Sequence, residues 1–117
     1  MIYMEINGTD LSMIRGDSET IDIKISTPDG EVRPLVQGDM LYFSVKKNPK
    51  FTKYAFQKIV TKFREDGTAQ VVILPDDTKD LQFDDYRYDV QLTTKEGEVK
   101  TIIEDSLFRI KVEITDD

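Results

Sequence analysis

The chain has no cysteine, no histidine and no tryptophan among its 117 residues. Without cysteine, neither a disulfide framework nor a thiolate metal site can form, so packing alone must hold the core together. Without histidine and cysteine, the Ser-His-Asp and Cys-His triads and histidine general bases are excluded as well. These absences rule out most classes of hydrolase.

Other signatures of enzymes are also missing. None of the six glycines stands in the Gly-x-Gly or Gly-Lys-Ser/Thr setting of a phosphate-binding loop. The 23 acidic residues leave a carboxylate-based enzyme as the remaining catalytic alternative, but a chain this short rarely encloses the cleft that glycoside hydrolysis requires. The sequence therefore predicts a protein that is not an enzyme and has no cofactor.

Long apolar runs and targeting signals are absent too. No eighteen apolar residues follow one another, and Met1-Ile2-Tyr3-Met4-Glu5 lacks the basic start and apolar stretch of a signal peptide. We therefore expect synthesis and residence in a cytoplasm. The length fits one domain over residues 1–117, with residues 1–8 forming a flexible arm or an edge strand.

The charge is acidic overall but unevenly distributed. With 16 basic and 23 acidic residues the net charge is −7, which repels nucleic acid and anionic membranes, so neither is an expected partner. Residues 46–64 carry seven cations and no acid, so the rest of the chain sums to −14. Such a block usually marks the solvated face of a hairpin. The alternative is electrostatic docking of one copy's basic hairpin onto another copy's acidic face, giving a homo-oligomer. The seven cations are Lys46, Lys47, Lys50, Lys53, Lys58, Lys62 and Arg64.

Strict alternation of apolar and polar residues dominates the chain and predicts an all-β fold. It is clearest over residues 21–25, 86–93 and 107–115, and weaker over 10–14, 40–47, 54–63, 68–74 and 99–103. Glycine-containing turns at 28–30, 37–39, 65–67 and 95–97 separate these strands, and Glu65-Asp66-Gly67 suits a three-residue hairpin loop into the next strand. Short strands with turns every 8 to 12 residues or so are typical of a sandwich or barrel.

Residues 51–63 are the one segment that competes as a helix. Phe51, Ala55, Ile59 and Phe63 recur at every fourth position, which would form an apolar stripe on a helix. The segment lacks capping signals, however, and its aromatic residues also alternate with polar ones. We therefore predict a strand here.

Tyr86 is a candidate for the tyrosine corner of immunoglobulin-type sandwiches. In those folds an acid and a leucine in a corner loop precede a tyrosine that opens a core strand and bonds back to the loop backbone. Asp77 and Leu81 stand at matching positions before Tyr86. The spacing indicates fold and says nothing about function.

Five aspartates lie within ten residues and offer oxygen ligands of the kind that Ca²⁺ prefers. Their spacing is not that of a calcium loop, and turn formation explains them equally well. No metal site is therefore predicted, and the cluster remains only a weak calcium candidate. Its members are Asp76, Asp77, Asp80, Asp84 and Asp85.

Arg15-Gly16-Asp17 spells the tripeptide that integrin ligands display. Gly-Asp is also a natural turn pair, and such a triplet arises readily by chance. We expect these residues to form a bend between the first two strands.

Taken in order, several motifs resemble one known family. They are Arg15-Gly16-Asp17 before Ile21, Gly38-Asp39 before Leu41-Tyr42-Phe43-Ser44-Val45-Lys46-Lys47, Asp66-Gly67-Thr68-Ala69, Pro75-Asp76-Asp77-Thr78-Lys79-Asp80-Leu81, Tyr86-Arg87-Tyr88-Asp89-Val90-Gln91-Leu92, and Thr101-Ile102 before Phe108. Over residues 9–115 the chain resembles the immunoglobulin-like β-sandwich proteins of tailed phages and prophages of Gram-positive bacteria, related to the sandwich domain of upper baseplate proteins. In those relatives a glycine commonly precedes the paired tyrosines, whereas Asp84-Asp85 stand here.

The resemblance implies an immunoglobulin-like antiparallel sandwich of seven or eight strands. It also implies a structural part or accessory module of a phage tail or baseplate, in the virion or the host cytoplasm, which joins other phage structural proteins or further copies of itself. The alternative is a carbohydrate-binding or adhesion module that recognises a bacterial surface through exposed aromatic rings. Candidates for such a platform are Tyr3, Tyr42, Phe51 and Tyr54, and the absence of tryptophan weighs against it.

Overall fold

The computed structural model describes residues 2–3, 10–26 and 29–112, and it shows a mostly β protein with one short helix in that part of the chain. The predicted all-β class is confirmed at this level. The elements are β1 (Ile2–Tyr3), β2 (Leu11–Ile14), β3 (Glu19–Ile23), β4 (Met40–Lys46), β5 (Phe56–Val60), β6 (Ala69–Ile73), α1 (Pro75–Thr78), β7 (Asp84–Thr93) and β8 (Val99–Lys111).

The strands form two sheets. The smaller has the order β1-β3-β6 and the larger, curled sheet has the order β2-β8-β7-β4-β5. Both are mixed, because β1 runs parallel to β3 and β2 runs parallel to β8, while the other pairs are antiparallel. The expectation of a purely antiparallel arrangement is therefore wrong. Strands β2 and β8 lie far apart in the chain, so no hairpin turn fixes their relative direction.

Side chains from both sheets meet in one hydrophobic core. Alternation places Phe43, Tyr88 and Phe108 of the larger sheet on its buried face, with the Phe43 and Tyr88 rings 5.1 Å apart and Phe108 edge-on to both. The smaller sheet contributes Ile21 and Val71, which are also fully buried. Burial of such apolar surface is the main driving force for folding.

Most predicted strands are confirmed, including a strand rather than a helix in the region 51–63. One boundary is wrong: residues 99–103 and 107–115 were expected as two strands, but β8 runs without a break from Val99 to Lys111. The register against β7 shifts between Tyr88 and Gln91. Because of this irregularity, the consecutive buried residues Ile103 and Ser106 of β8 are three positions apart instead of two. In the sequence alone, such a break in the alternation resembles the end of a strand.

The hairpin expected at residues 65–67 is also wrong. A tight turn does form there, with the Arg64 N–H donating to the Thr68 carbonyl at 3.0 Å. However, β5 lies in the larger sheet and β6 in the smaller one, so the turn belongs to a connection that crosses between sheets. A turn motif predicts the local bend and not whether the flanking strands pair.

Of the arm or edge strand expected over residues 1–8, the structure describes only Ile2–Tyr3, which pair with Ile21 and Asp22 of β3. The described residues do not include the rest of the predicted arm, the side chain of Tyr3, residues 27–28, or residues 113–115 of the last predicted strand. Within the described part of the chain, no helix has the length and apolar character needed to cross a membrane.

Candidate functional site

A groove of about 400 Å³ lies on the outer face of the larger sheet. Because successive strand residues point to opposite faces, the same alternation that buries Phe43 and Tyr88 turns their neighbours on β4 and β7 toward solvent. The residues that give the groove its chemistry are Tyr42, Lys46, Tyr54, Gln57, Asp89 and Gln91. Its volume lies within the usual range of small-ligand sites.

Two polar side chains of the groove have no hydrogen-bond or ion-pair partner among the residues that the structure describes. The carboxylate of Asp89 and the amide of Gln91 are half-buried and make no hydrogen bond or ion pair with any described residue. Burial raises the pKa of Asp89, while nearby Lys46 lowers it and Asp105 raises it. Both groups reach solvent, so they can hydrogen-bond to a ligand in the groove.

Other groups in the groove are held in place. The Gln57 amide donates to the Ser44 hydroxyl at 2.9 Å, which bridges β5 and β4. The guanidinium of Arg87 on β7 bonds to the Asp105 carboxylate of β8 at 2.7 Å. These bonds fix the polar lining of the groove before any ligand arrives.

Aromatic rings line one side of the groove. Tyr54 belongs to the loop between β4 and β5, is 44% exposed, and has the Lys46 ammonium 5.0 Å from its ring centroid. Tyr42 projects from β4 and is half-buried. Among the described residues, the one hydrogen bond of its hydroxyl goes to the Met40 sulfur, a weak acceptor, at 3.6 Å.

The seven cations predicted as an interaction patch do not all share one free surface. Lys47 pairs with Asp84, Lys58 pairs with Asp77 at 2.7 Å, and Arg64 pairs with the buried Asp22 at 3.4 Å. Lys46 faces the groove. Lys50, Lys53 and Lys62 are exposed and form no ion pair with the residues that the structure describes.

A second depression of about 410 Å³ adjoins the loop between β4 and β5. Phe51 and Tyr54 line it and remain 52% and 44% exposed. Lys53 lies on the same wall, and Leu81 and Gln82 form the other side. We call residues 48–54, with Lys50, Phe51, Lys53 and Tyr54, the aromatic–cationic loop.

Four of the five clustered aspartates take part in hydrogen bonds or ion pairs with other residues rather than converging. Asp77 accepts a hydrogen bond from the Leu74 N–H at 2.7 Å at the start of α1, and Asp76 pairs with Lys79 at 3.1 Å. Asp85 pairs with Arg109 at 2.8 Å, and Asp84 with Lys47. Within residues 10–26 and 29–112, no three acidic side chains are grouped closely enough to hold a metal ion.

Tyr86 begins the buried part of β7, and its hydroxyl donates to the carbonyl of Gln82 at 3.0 Å. This is the type of bond that a tyrosine corner requires. Leu81 is half-buried and packs against the core. Among the described residues, Asp77 makes no hydrogen bond with the tyrosine and instead accepts one from the Leu74 N–H at the start of α1.

Arg15-Gly16-Asp17 forms the bend between β2 and β3. The guanidinium of Arg15 lies 4.0 Å from the Phe83 ring centroid and donates to the Leu81 carbonyl at 3.3 Å. The Gly16 N–H donates to the Thr78 hydroxyl at 2.9 Å. These bonds give the first two residues of the motif a structural role.

Sequence reasoning named Tyr42 and Tyr54 as exposed aromatics but missed Gln57, Asp89 and Gln91. Alternation showed that these three face outward. It did not show that the sheet curls around them, because curvature depends on how all five strands twist together. The signal for Asp89 and Gln91 was the polar odd positions of residues 86–93, and the signal for Gln57 was the weaker alternation over residues 54–63.

Comparison with known proteins adds no family: no family model matches the chain, and no curated protein matches it. Its function is therefore inferred from the arrangement of its own residues.

Proposed function

We propose that the protein is an immunoglobulin-like sandwich that mediates protein–protein assembly in a tailed phage or prophage, as a structural or tail- or baseplate-associated module without catalytic activity. The strand order supports the fold, since two sheets share one core and Tyr86 bonds back to the preceding loop. The absence of histidine and cysteine supports a non-enzymatic role.

The observation that carries the assembly role is the aromatic–cationic loop. Phe51 and Tyr54 are large and half-exposed, and both stand beside a depression that a partner side chain can fill. Aromatic anchors in such pockets supply most of the binding energy of protein interfaces. Lys50 and Lys53 beside them have no acidic partner among the described residues, so they are available to one from outside.

The partner is expected to present an acidic surface. Outside residues 46–64 this chain itself sums to −14, so a second copy offers the required complement. Neighbouring tail proteins with acidic faces would dock in the same way. In either case the module belongs in a virion or in the cytoplasm where virions assemble.

Charge reversal in the loop tests this function. In sedimentation velocity at low salt, the Lys50→Glu/Lys53→Glu variant should associate at least about tenfold more weakly than the wild type, because it loses the attraction across the interface. The matched control is Lys95→Glu/Lys100→Glu, which changes the net charge equally at exposed positions outside the loop. Equal effects of the two variants would contradict a role for the loop.

A further inference from the structure

We infer that the groove on the outer face of the larger sheet binds a neutral oligosaccharide. The juxtaposition that carries this inference is Tyr42 and Tyr54 beside Asp89 and Gln91 in one concavity of about 400 Å³. The groove is separate from the depression beside Phe51, although Tyr54 lines both. The inference therefore goes beyond the assembly role and does not depend on it.

The chemistry of the lining fits a sugar. A pyranose ring has apolar C–H faces that pack on tyrosine rings and a rim of hydroxyls that donate and accept hydrogen bonds. Asp89 supplies an acceptor and Gln91 supplies both a donor and an acceptor, and neither is satisfied by a described residue. A polyhydroxylated ligand satisfies both groups at once.

The charges in the groove favour a neutral ligand. Lys46 and Arg87 balance Asp89 and Asp105, and Arg87 is already paired with Asp105. An acidic sugar would meet Asp89 directly and would be repelled by it. A basic ligand would likewise be repelled by the positive charge of Lys46.

The lining is less suited to a peptide. Among the described lining residues only Pro49 is aliphatic, so the groove lacks an apolar pocket for an anchoring side chain. Amide, carboxylate and guanidinium groups stand instead beside the tyrosine rings. A glycan in extended form can lie along such a surface and reach several of these groups.

The test is an NMR titration of the ¹⁵N-labelled protein with three neutral probes: the β-1,4- and α-1,4-linked glucose hexamers and the N-acetylglucosamine hexamer. At least one probe should produce saturable shifts at the side-chain amides of Gln57 and Gln91 and along β4 and β7. Asp89→Asn should weaken that binding at least about tenfold, and Gln91→Ala should also weaken it.

The matched control is Asp85→Asn, the same substitution four positions earlier on the same face of β7 and outside the groove. It should leave the affinity within about twofold of the wild type, as expected for an exposed site remote from the ligand. Absence of shifts with all three probes, shifts confined to the aromatic–cationic loop, or equal losses in Asp85→Asn and Asp89→Asn would overturn the inference. Asp89→Asn should leave self-association intact, so the two proposals fail separately.

Discussion

The carboxylate of Asp39 accepts a hydrogen bond from the backbone N–H of Lys95 at 3.0 Å and so joins two turns that are 56 residues apart in sequence. It also accepts bonds from the Val36 N–H at 3.0 Å and from Arg33 at 3.1 Å. Its side chain is fully buried. Asp39 thus fixes the turn before β4 to the turn after β7, the two strands that form the floor of the groove.

Replacing Asp39 with asparagine should destabilise the protein by about 1.5–3 kcal/mol, because the buried charge is lost and an amide NH2 replaces one of the two oxygens that accept from the three donors. Urea denaturation followed by circular dichroism measures the change. Asp76→Asn is the control, since that side chain is 86% exposed and should change stability by less than about 0.5 kcal/mol. Similar losses in both variants would contradict the structural role of Asp39.

Acid should remove the same stabilisation. Burial alone would raise the pKa of Asp39, but the bonds from Val36, Arg33 and Lys95 outweigh it and hold the pKa below its ordinary value of 3.8. Because the folded pKa is depressed, the stabilisation is present above pH 3.8 and is lost as the pH falls through the folded pKa. The stability gap between wild type and Asp39→Asn should therefore narrow below that pH. If the difference in unfolding free energy stays constant on acidification, the negative charge of Asp39 does not stabilise the fold.

Tyr86→Phe should destabilise the protein by about 1 kcal/mol, because it removes the bond to the Gln82 carbonyl without changing the ring. Thermal unfolding measures this loss. Tyr42→Phe is the matched control, since among the described residues the Tyr42 hydroxyl bonds just to the weakly accepting Met40 sulfur. If both variants melt at the wild-type temperature, the hydrogen bond from the Tyr86 hydroxyl does not stabilise the fold as a tyrosine corner should.

Gly67→Ala should cost more stability than Gly97→Ala. Both glycines have positive φ, +82° and +90°, so either substitution carries a strain of about 1–2 kcal/mol. A Cβ at Gly67 would in addition lie 2.4 Å from the Cβ of Pro34, whereas at Gly97 it meets nothing within 4 Å. This overlap should add about 1–3 kcal/mol in urea denaturation. Equal losses would mean that the turn moves away from Pro34 at little cost.

Much of the β architecture could be predicted from the sequence because alternation is a local signal. The segment around Tyr86 and Tyr88 shows it well, since every second residue there is buried. The parallel pairing of β2 with β8 could not be predicted in this way, because it joins opposite ends of the chain. The single long strand β8 was predicted as two strands, because the bulge interrupts the alternation of buried and exposed residues before Ser106.

The candidate sites were predicted less completely. The run of cations at residues 46–64 was visible, but its division into paired and unpaired members depends on acids such as Asp22 and Asp77, which only folding brings close. Asp89 was visible only as one outward residue of a strand. Its place in a groove depends on curvature of the whole sheet, which no single segment encodes.

The most direct test of the assembly role is sedimentation equilibrium of the wild-type protein over a wide concentration range at low and high salt. Attraction between the lysines of the aromatic–cationic loop and an acidic face should give self-association that weakens as salt screens it. A monomer at every concentration and salt level, or association that strengthens with salt, would contradict electrostatic docking of one copy on another.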